Sequence, residues 1–185
     1  MADSIKILGI AGSVRKASFN KSALRAAQKL VPEGASIEIF DIDGLPGFNQ
    51  DDEKNPPAKV TELKAKIRAA DAILFVTPEY NYSIPGVLKN AIDWASRPTG
   101  KSALNRKPAA LMGCSPGLGG TIRAQHALRQ SFVFTETHVM SQPEIKIPSA
   151  APLFDSSGSL TDDNTRQHVK KFLEAFVVWI GRFKD

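Results

Sequence analysis

A doubly wound α/β sheet is the fold class this chain predicts, and three observations carry the prediction. Five short apolar runs are spaced along 185 residues, helical patterns separate them, and the turn after the first run is rich in glycine and hydroxyl groups. Strand then helix, five times over, argues for parallel strands joined by right-handed crossovers. Five parallel strands in this length suit the order 2-1-3-4-5 in a three-layer α/β/α arrangement, with residues 1–185 forming one domain. Ligands of such sheets bind beyond the C-terminal ends of the strands, where the order reverses, so the loops after strands 1, 3 and 4 should meet.

The first strand is Ile5-Lys6-Ile7-Leu8, an apolar run with one interruption, as expected of a strand buried on both faces. Lys21–Leu30 follows as a helix, with Ala23, Leu24, Ala27 and Val31 at helical spacing. Between them, Gly9 and Gly12 let the backbone turn sharply and approach a ligand closely. The first N–H groups of the helix have no partner within it and favour an anion, helped by the helix dipole. Ser13, Ser18 and Asn20 add neutral donors, and Arg15 adds a charged, planar fork. The loop is not a Walker P-loop, because no Gly-Lys-Ser/Thr ends it, and it lacks the third glycine of the dinucleotide fingerprint. A monophosphate held largely by hydroxyls fits. The plain alternative is a polar turn with Ser18 or Asn20 as N-cap.

Further strands are expected at Ser36–Phe40, Ala72–Thr77, Ala109–Gly113 and Thr137–Met140. Helices are expected at Pro57–Ala70 (Val60, Leu63, Ile67), Pro85–Ala95 (Val87, Leu88, Ala91, Ile92) and Thr121–Phe132 (Ile122, Leu128). The last helix, Asn164–Phe183, is apolar on one face and capped by Thr161 or Asp162. Residues 41–56 read as a surface excursion, and residues 142–160, with three prolines, as a long irregular arm.

Two further loops complete the expected rim. Thr77–Gly86 carries Pro78 and Pro85, which stiffen it, and Tyr80 and Tyr82, which offer flat surfaces suited to a planar heterocycle. Glu79 in this loop has no histidine or metal cluster nearby in sequence and reads as a solvated acid rather than a base. Cys114–Gly120 carries Ser115 and three glycines, whose N–H groups suit the polar edge of a ring that gains negative charge on reduction. A mobile turn is the alternative. No Cys/His pair supports thiol chemistry, and His126, His138 and His168 share no ligand spacing, so no metal is expected. Arg123 and Arg129 read as solvated or interface residues, with a grip on a nicotinamide cofactor as the other option.

Composition narrows the class. Hydrophobic residues make up 42% and charged residues 23%, which describes a soluble globular chain without a membrane span or signal peptide. One cysteine excludes an internal disulfide, and a cytoplasmic location follows as the default. The net charge of +5 is scattered rather than clustered, which argues against nucleic-acid binding and allows only a mild attraction for anions.

Gly12-Ser-Val-Arg-Lys-Ala-Ser-Phe-Asn20, the run Thr77-Pro-Glu-Tyr-Asn-Tyr-Ser-Ile-Pro-Gly-Val-Leu-Lys-Asn-Ala-Ile-Asp-Trp94, and Gly119-Gly120 together resemble the NADPH-dependent FMN reductase family, in particular its bacterial quinone, chromate and azo-dye reductases. The likeness covers nearly the whole chain, fades over residues 41–56 and 142–160, and departs at Ala17, where several relatives carry glycine. It implies a flavodoxin-like fold, non-covalent FMN and reduction by NADPH or NADH. It implies ping-pong hydride transfer to quinones or similar acceptors (azo compounds, chromate, free flavin), with the flavin ring and no side chain as the catalytic group. Ser13, Arg15, Ser18, Phe19 and Asn20 match the phosphate loop, and Pro78, Glu79, Tyr80 and Asn81 match the loop along the isoalloxazine ring. Ser115 and Gly117 match the loop near its pyrimidine edge. A homodimer or homotetramer with the flavin near the interface is also implied, and the helix Pro85–Arg97 with Trp94 is the candidate for part of that interface. The competing class is a flavodoxin-type FMN electron carrier acting through a protein partner. Such carriers are usually strongly acidic and have a threonine-rich phosphate loop without an arginine.

Overall fold

β1 (Ile5–Ala11), β2 (Ala35–Phe40), β3 (Ala72–Val76) and β4 (Pro108–Cys114) form the centre of a parallel sheet in a computed structural model that describes residues 4–183. The strand order is 2-1-3-4-5, as the sequence predicts. In β3 all five residues, Ala-Ile-Leu-Phe-Val, are buried, and alternate side chains enter opposite cores. Each fully buried aliphatic side chain contributes roughly 1.5–3 kcal/mol of hydrophobic stabilisation.

Five helices cover the two faces. α1 (Phe19–Leu30) and α5 (Asp163–Gly181) close one core, with Leu24, Phe172 and Phe176 packed on Ile7, Leu74 and Met112. α2 (Ala58–Ala69), α3 (Gly86–Ala95) and α4 (Ile122–Ser131) close the other, with Leu63, Leu88 and Leu128 against Leu8, Phe75 and Leu111. The cap alternatives resolve in favour of Ser18, whose side chain accepts from the Lys21 N–H, and Asp162, which accepts from the Thr165 N–H. α1 therefore starts two residues earlier than its hydrophobic periodicity alone indicates.

The five-strand expectation needs one correction. The fifth position is shared by two short strands, β5 (His138–Val139) and β6 (Ile145–Ile147), both parallel to β4. β6 pairs with Met112–Cys114, at the end of β4 from which the third loop leaves. It lies inside the segment expected to be an irregular arm. The excursion at 41–56 is also anchored: the Trp94 indole donates to the Pro46 carbonyl at 2.8 Å, its ring meets Phe48 edge-on, and the Asn90 amide spans Pro46 and Phe48. Trp94 is fully buried, so it braces this excursion and is not available to an interface.

Candidate active site

The loops after β1, β3 and β4 converge because their strands are adjacent, and a dense set of contacts fixes their mutual positions. Gly12 N–H donates to the Val76 carbonyl, Thr77 N–H to the Met112 carbonyl and Ser115 N–H to the Ile147 carbonyl. Thr77, fully buried, sits at the centre. A Cβ on Gly12 would stand 3.2 Å from its hydroxyl, and a Cβ on Gly113 would stand 2.3 Å from its carbonyl. Gly113 cannot carry a side chain without parting the strands, and at Gly12 the Leu88 and Thr77 side chains would have to give way. Thr77 was not singled out in the sequence, because only the three-strand packing gives it this place.

The first loop is a row of open donors. Ser18 caps α1, and Arg15 N–H reaches the buried Ser13 hydroxyl at 3.3 Å. Among the described residues, the backbone N–H groups of Ser13, Val14, Lys16, Ala17, Phe19 and Asn20 meet no protein acceptor. Arg15 and Lys16 are exposed beside them. Unpaired N–H groups at a helix N-terminus with a flanking cation make a ready anion cradle. Two predicted residues do other work with their side chains. The Asn20 amide is buried and doubly bonded to the backbone of Cys114, donating to its carbonyl at 2.9 Å and accepting from its N–H at 3.0 Å. The Phe19 ring packs on Phe154, with centroids 5.6 Å apart. Asn20 thus braces the first loop against the third, and Phe19 ties it to the arm.

The second loop ends in a tight hairpin. Tyr80 and Ser83 exchange both backbone hydrogen bonds at 3.0 Å, and Asn81 and Tyr82 at its tip have φ of 51° and 67°. These left-handed values define a two-residue type I′ turn. Thr77 hydroxyl donates to the Pro78 carbonyl at 2.8 Å, stiffening its base. Glu79 is neither a free acid nor a base. Its carboxylate accepts from the Arg123 and Ala124 N–H groups at the start of α4 and from the Arg123 guanidinium at 2.6 Å. Arg123 in turn lies 3.9 Å over the Tyr82 ring. The acid complements the positive end of α4, and the arginine holds the tyrosine hairpin to it.

The third loop is stitched to β6. Ser115 hydroxyl donates to the Gly117 carbonyl, which also accepts from Ser149 N–H, while the Ser115 carbonyl accepts from Ala150 N–H. Gly120, with φ of 52°, lies so close to Lys146 that a Cβ would stand 3.0 Å from its carbonyl carbon. Gln125 closes the join by donating to Ile145 carbonyl at 2.9 Å. Cys114 is buried at the root of this loop, and burial pushes its thiol up to about 12, so it stays protonated and unreactive at neutral pH. No group of three potential metal ligands occurs among the described residues.

A parallel sheet of order 2-1-3-4-5, with an anion cradle after β1 and two stiff loops beside it, defines a flavodoxin-like nucleotide-binding protein. Its family follows from comparison with known proteins: the model of the NADPH-dependent FMN reductases matches residues 5–152, and the chain belongs to that family of flavin-dependent oxidoreductases. It is 50% identical to an NAD(P)H-dependent FMN reductase of Pseudomonas aeruginosa over 186 residues, covering all of both chains. It is 44% identical to a quinone reductase of Pseudomonas putida over 181 residues, 97% of each chain. The solved structure of FerB, a flavoenzyme NAD(P)H:(acceptor) oxidoreductase from Paracoccus denitrificans, superposes with a TM-score of 0.89 at 39% identity, covering 96% of this chain and 98% of that one.

Proposed function

We propose that the chain works as one domain that holds FMN across the three-loop rim, takes reducing equivalents from NADPH or NADH, and delivers two electrons to a quinone. FMN, when bound, supplies the chemistry by accepting a hydride on its ring and passing the electrons on. The protein supplies position and charge. The row of unpaired N–H groups after β1 carries this reading, with Ser13, Arg15 and Ser18 beside it to hold the phosphate. Pro78, Tyr80 and Asn81 would line the ring, with Glu79 holding their loop against α4. Gly117 would present its N–H to the polar edge and stabilise negative charge on the reduced ring, with Ser115, whose own N–H is held by Ile147, fixing the loop there. With the electron sink in the cofactor, no side chain needs to act as acid or base in the transfer itself.

A second copy of the chain would complete the site. Tyr80, Tyr82, Val87 and Leu118 leave their apolar surfaces exposed around the rim, and Leu118 is 89% exposed. That grouping supports a homodimer or homotetramer closing over the flavin. The same open rim suits a range of flat or small acceptors, so azo compounds, chromate and free flavin belong to the proposed acceptor range beside quinones. The proposed setting is the cytoplasm; among the described residues no helix is long and apolar enough to cross a membrane.

Steady-state oxidation of NADPH and NADH with benzoquinone, in FMN-loaded protein and with no other protein present, tests the reading. Multiple turnovers with parallel double-reciprocal plots are expected. A protein that binds FMN but turns over only with a protein partner would be a carrier, not a reductase.

A further inference from the structure

We propose that the cleft between α1, the first turn of α5 and the Asp155–Ser159 turn binds a small molecule carrying a di- or triphosphate group. The cleft has a volume of about 390 Å³. Arg25 lies seven residues beyond the N-cap Ser18, about 10 Å along the helix axis, so this is not the rim already described.

Three cations meet there. Arg25, Lys29 and Arg166 line the cleft together with Ser22, Ser157 and Ser159. Most of the other paired cations of the surface have a carboxylate within 3 Å: Lys21 with Asp41, Lys66 with Glu38, Lys89 with Asp93, Arg123 with Glu79 and Lys146 with Glu144. Among the described residues Arg25 and Lys29 make no ion pair, and Arg166 has only Asp163, at 3.7 Å and with its side chain 90% exposed. The acid on the turn is bound locally, Asp155 Oδ1 accepting from Ser157 N–H, Ser157 hydroxyl and Ser159 N–H; these bonds keep it ionised, so one negative charge stands beside the three cations.

The cations are exposed, and close packing of the turn on α1 fixes one wall beneath them. Gly158, with φ of 76°, sits so close to α1 that a Cβ would stand 2.7 Å from Ser22 Oγ and 3.0 Å from Arg25 Nη2. Glycine takes that left-handed φ without strain and leaves the Ser22 and Arg25 side chains where they are. Buried Ser22 accepts from Arg25 Nη2 at 2.9 Å, which holds the guanidinium in place before a ligand arrives. Two guanidinium forks and an ammonium around one space match the several oxygens of an oligophosphate, each fork able to take two at once. One phosphate on one exposed cation would be screened by salt, so the arrangement favours a ligand with at least two phosphates. Ala26, Leu30 and Leu160 give one apolar wall, against which the less polar body of such a ligand could lie.

Isothermal titration of the FMN-saturated full chain with sodium tripolyphosphate and with ADP, at physiological ionic strength, tests this. With FMN in place the flavin phosphate cradle is filled, so the result does not depend on where the flavin phosphate sits. One site per chain is expected, with Kd of about 100 μM or tighter for at least one probe. ADP binding more tightly than tripolyphosphate would assign the apolar wall a share; equal affinities would place the recognition in the phosphates alone. Arg25→Gln combined with Arg166→Gln, both at exposed positions, should weaken binding at least tenfold, while Lys170→Gln, outside the cleft, should not change it. Absence of saturable binding of both probes, or binding that survives the double substitution, overturns the proposal.

Discussion

Asn20→Ala separates two roles that the same residue could have. As a phosphate donor it would matter to FMN and little to the empty protein; as a brace between loops it matters to both. The geometry favours the brace: two hydrogen bonds of 2.9 and 3.0 Å run to Cys114, and Asn20 and Cys114 are 3% and 1% exposed. Truncation strands one buried N–H and one buried carbonyl. Each orphaned group costs roughly 1–3 kcal/mol, so a total of about 3 kcal/mol is expected. In a chain of this length 1 kcal/mol moves Tm by about 2–4 °C, which gives a fall of about 6–12 °C in the flavin-free protein. Scanning calorimetry of the apo form measures it directly. Asn20→Asp keeps the size but aims a second acceptor at the Cys114 carbonyl and should destabilise at least as much. An apo Tm within 2 °C of the parent, together with weakened FMN binding, would refute the brace and restore the direct phosphate role.

Other perturbations have equally distinct signatures. Arg15→Ala removes an exposed cation next to the cradle; FMN affinity measured by fluorescence quenching should fall about tenfold, since a charge-assisted hydrogen bond contributes roughly 1.5–3 kcal/mol, and the apo Tm should not move. Glu79→Gln removes the charge that caps α4 and pairs with Arg123; a loss of about 1–2 kcal/mol in urea unfolding is expected, and unchanged stability would contradict the capping role. Gly113→Ala would bring a methyl group to 2.3 Å from the Thr77 carbonyl and 2.2 Å from Thr121 Oγ1, so a loss of about 3 kcal/mol or misfolding should follow, visible as a low Tm or insoluble protein. The Cys114 thiol, raised to about 12 by burial, should not react with a disulfide reagent at pH 8 in the native state and should react once the chain is unfolded in urea; rapid native-state labelling would mean that the root of the third loop opens.

Long-period features of this structure were legible in the sequence. Runs such as Ala72–Val76 are apolar without alternation because both faces of the strand are covered, and that property reads directly from the residues. The strand order and the three-loop rim followed from it. Contacts between residues distant in sequence did not read. Ile145-Lys146-Ile147 is too short, between Pro143 and Pro148, to show a strand period; only its pairing with Met112–Cys114 makes it one. Asn20 bonds a residue 94 positions away, and Trp94 bonds Pro46, 48 positions away, so neither local pattern could reveal a brace. Glu79 looked like a loop acid because its partners, the first N–H groups of α4, begin 44 residues later. The three loops were recognisable by residue type, while which of their side chains brace the loops came from the packing.

The most direct test of the account compares FMN with riboflavin, which has the same ring and lacks the phosphate. If the unpaired N–H groups after β1 and Arg15 hold the phosphate, the apo protein should take up one FMN per chain and bind riboflavin at least about tenfold more weakly, a difference of about 1.4 kcal/mol. Arg15→Ala should narrow that gap. Equal affinities for the two flavins, unaffected by the substitution, would place the phosphate elsewhere and contradict the assignment of this loop.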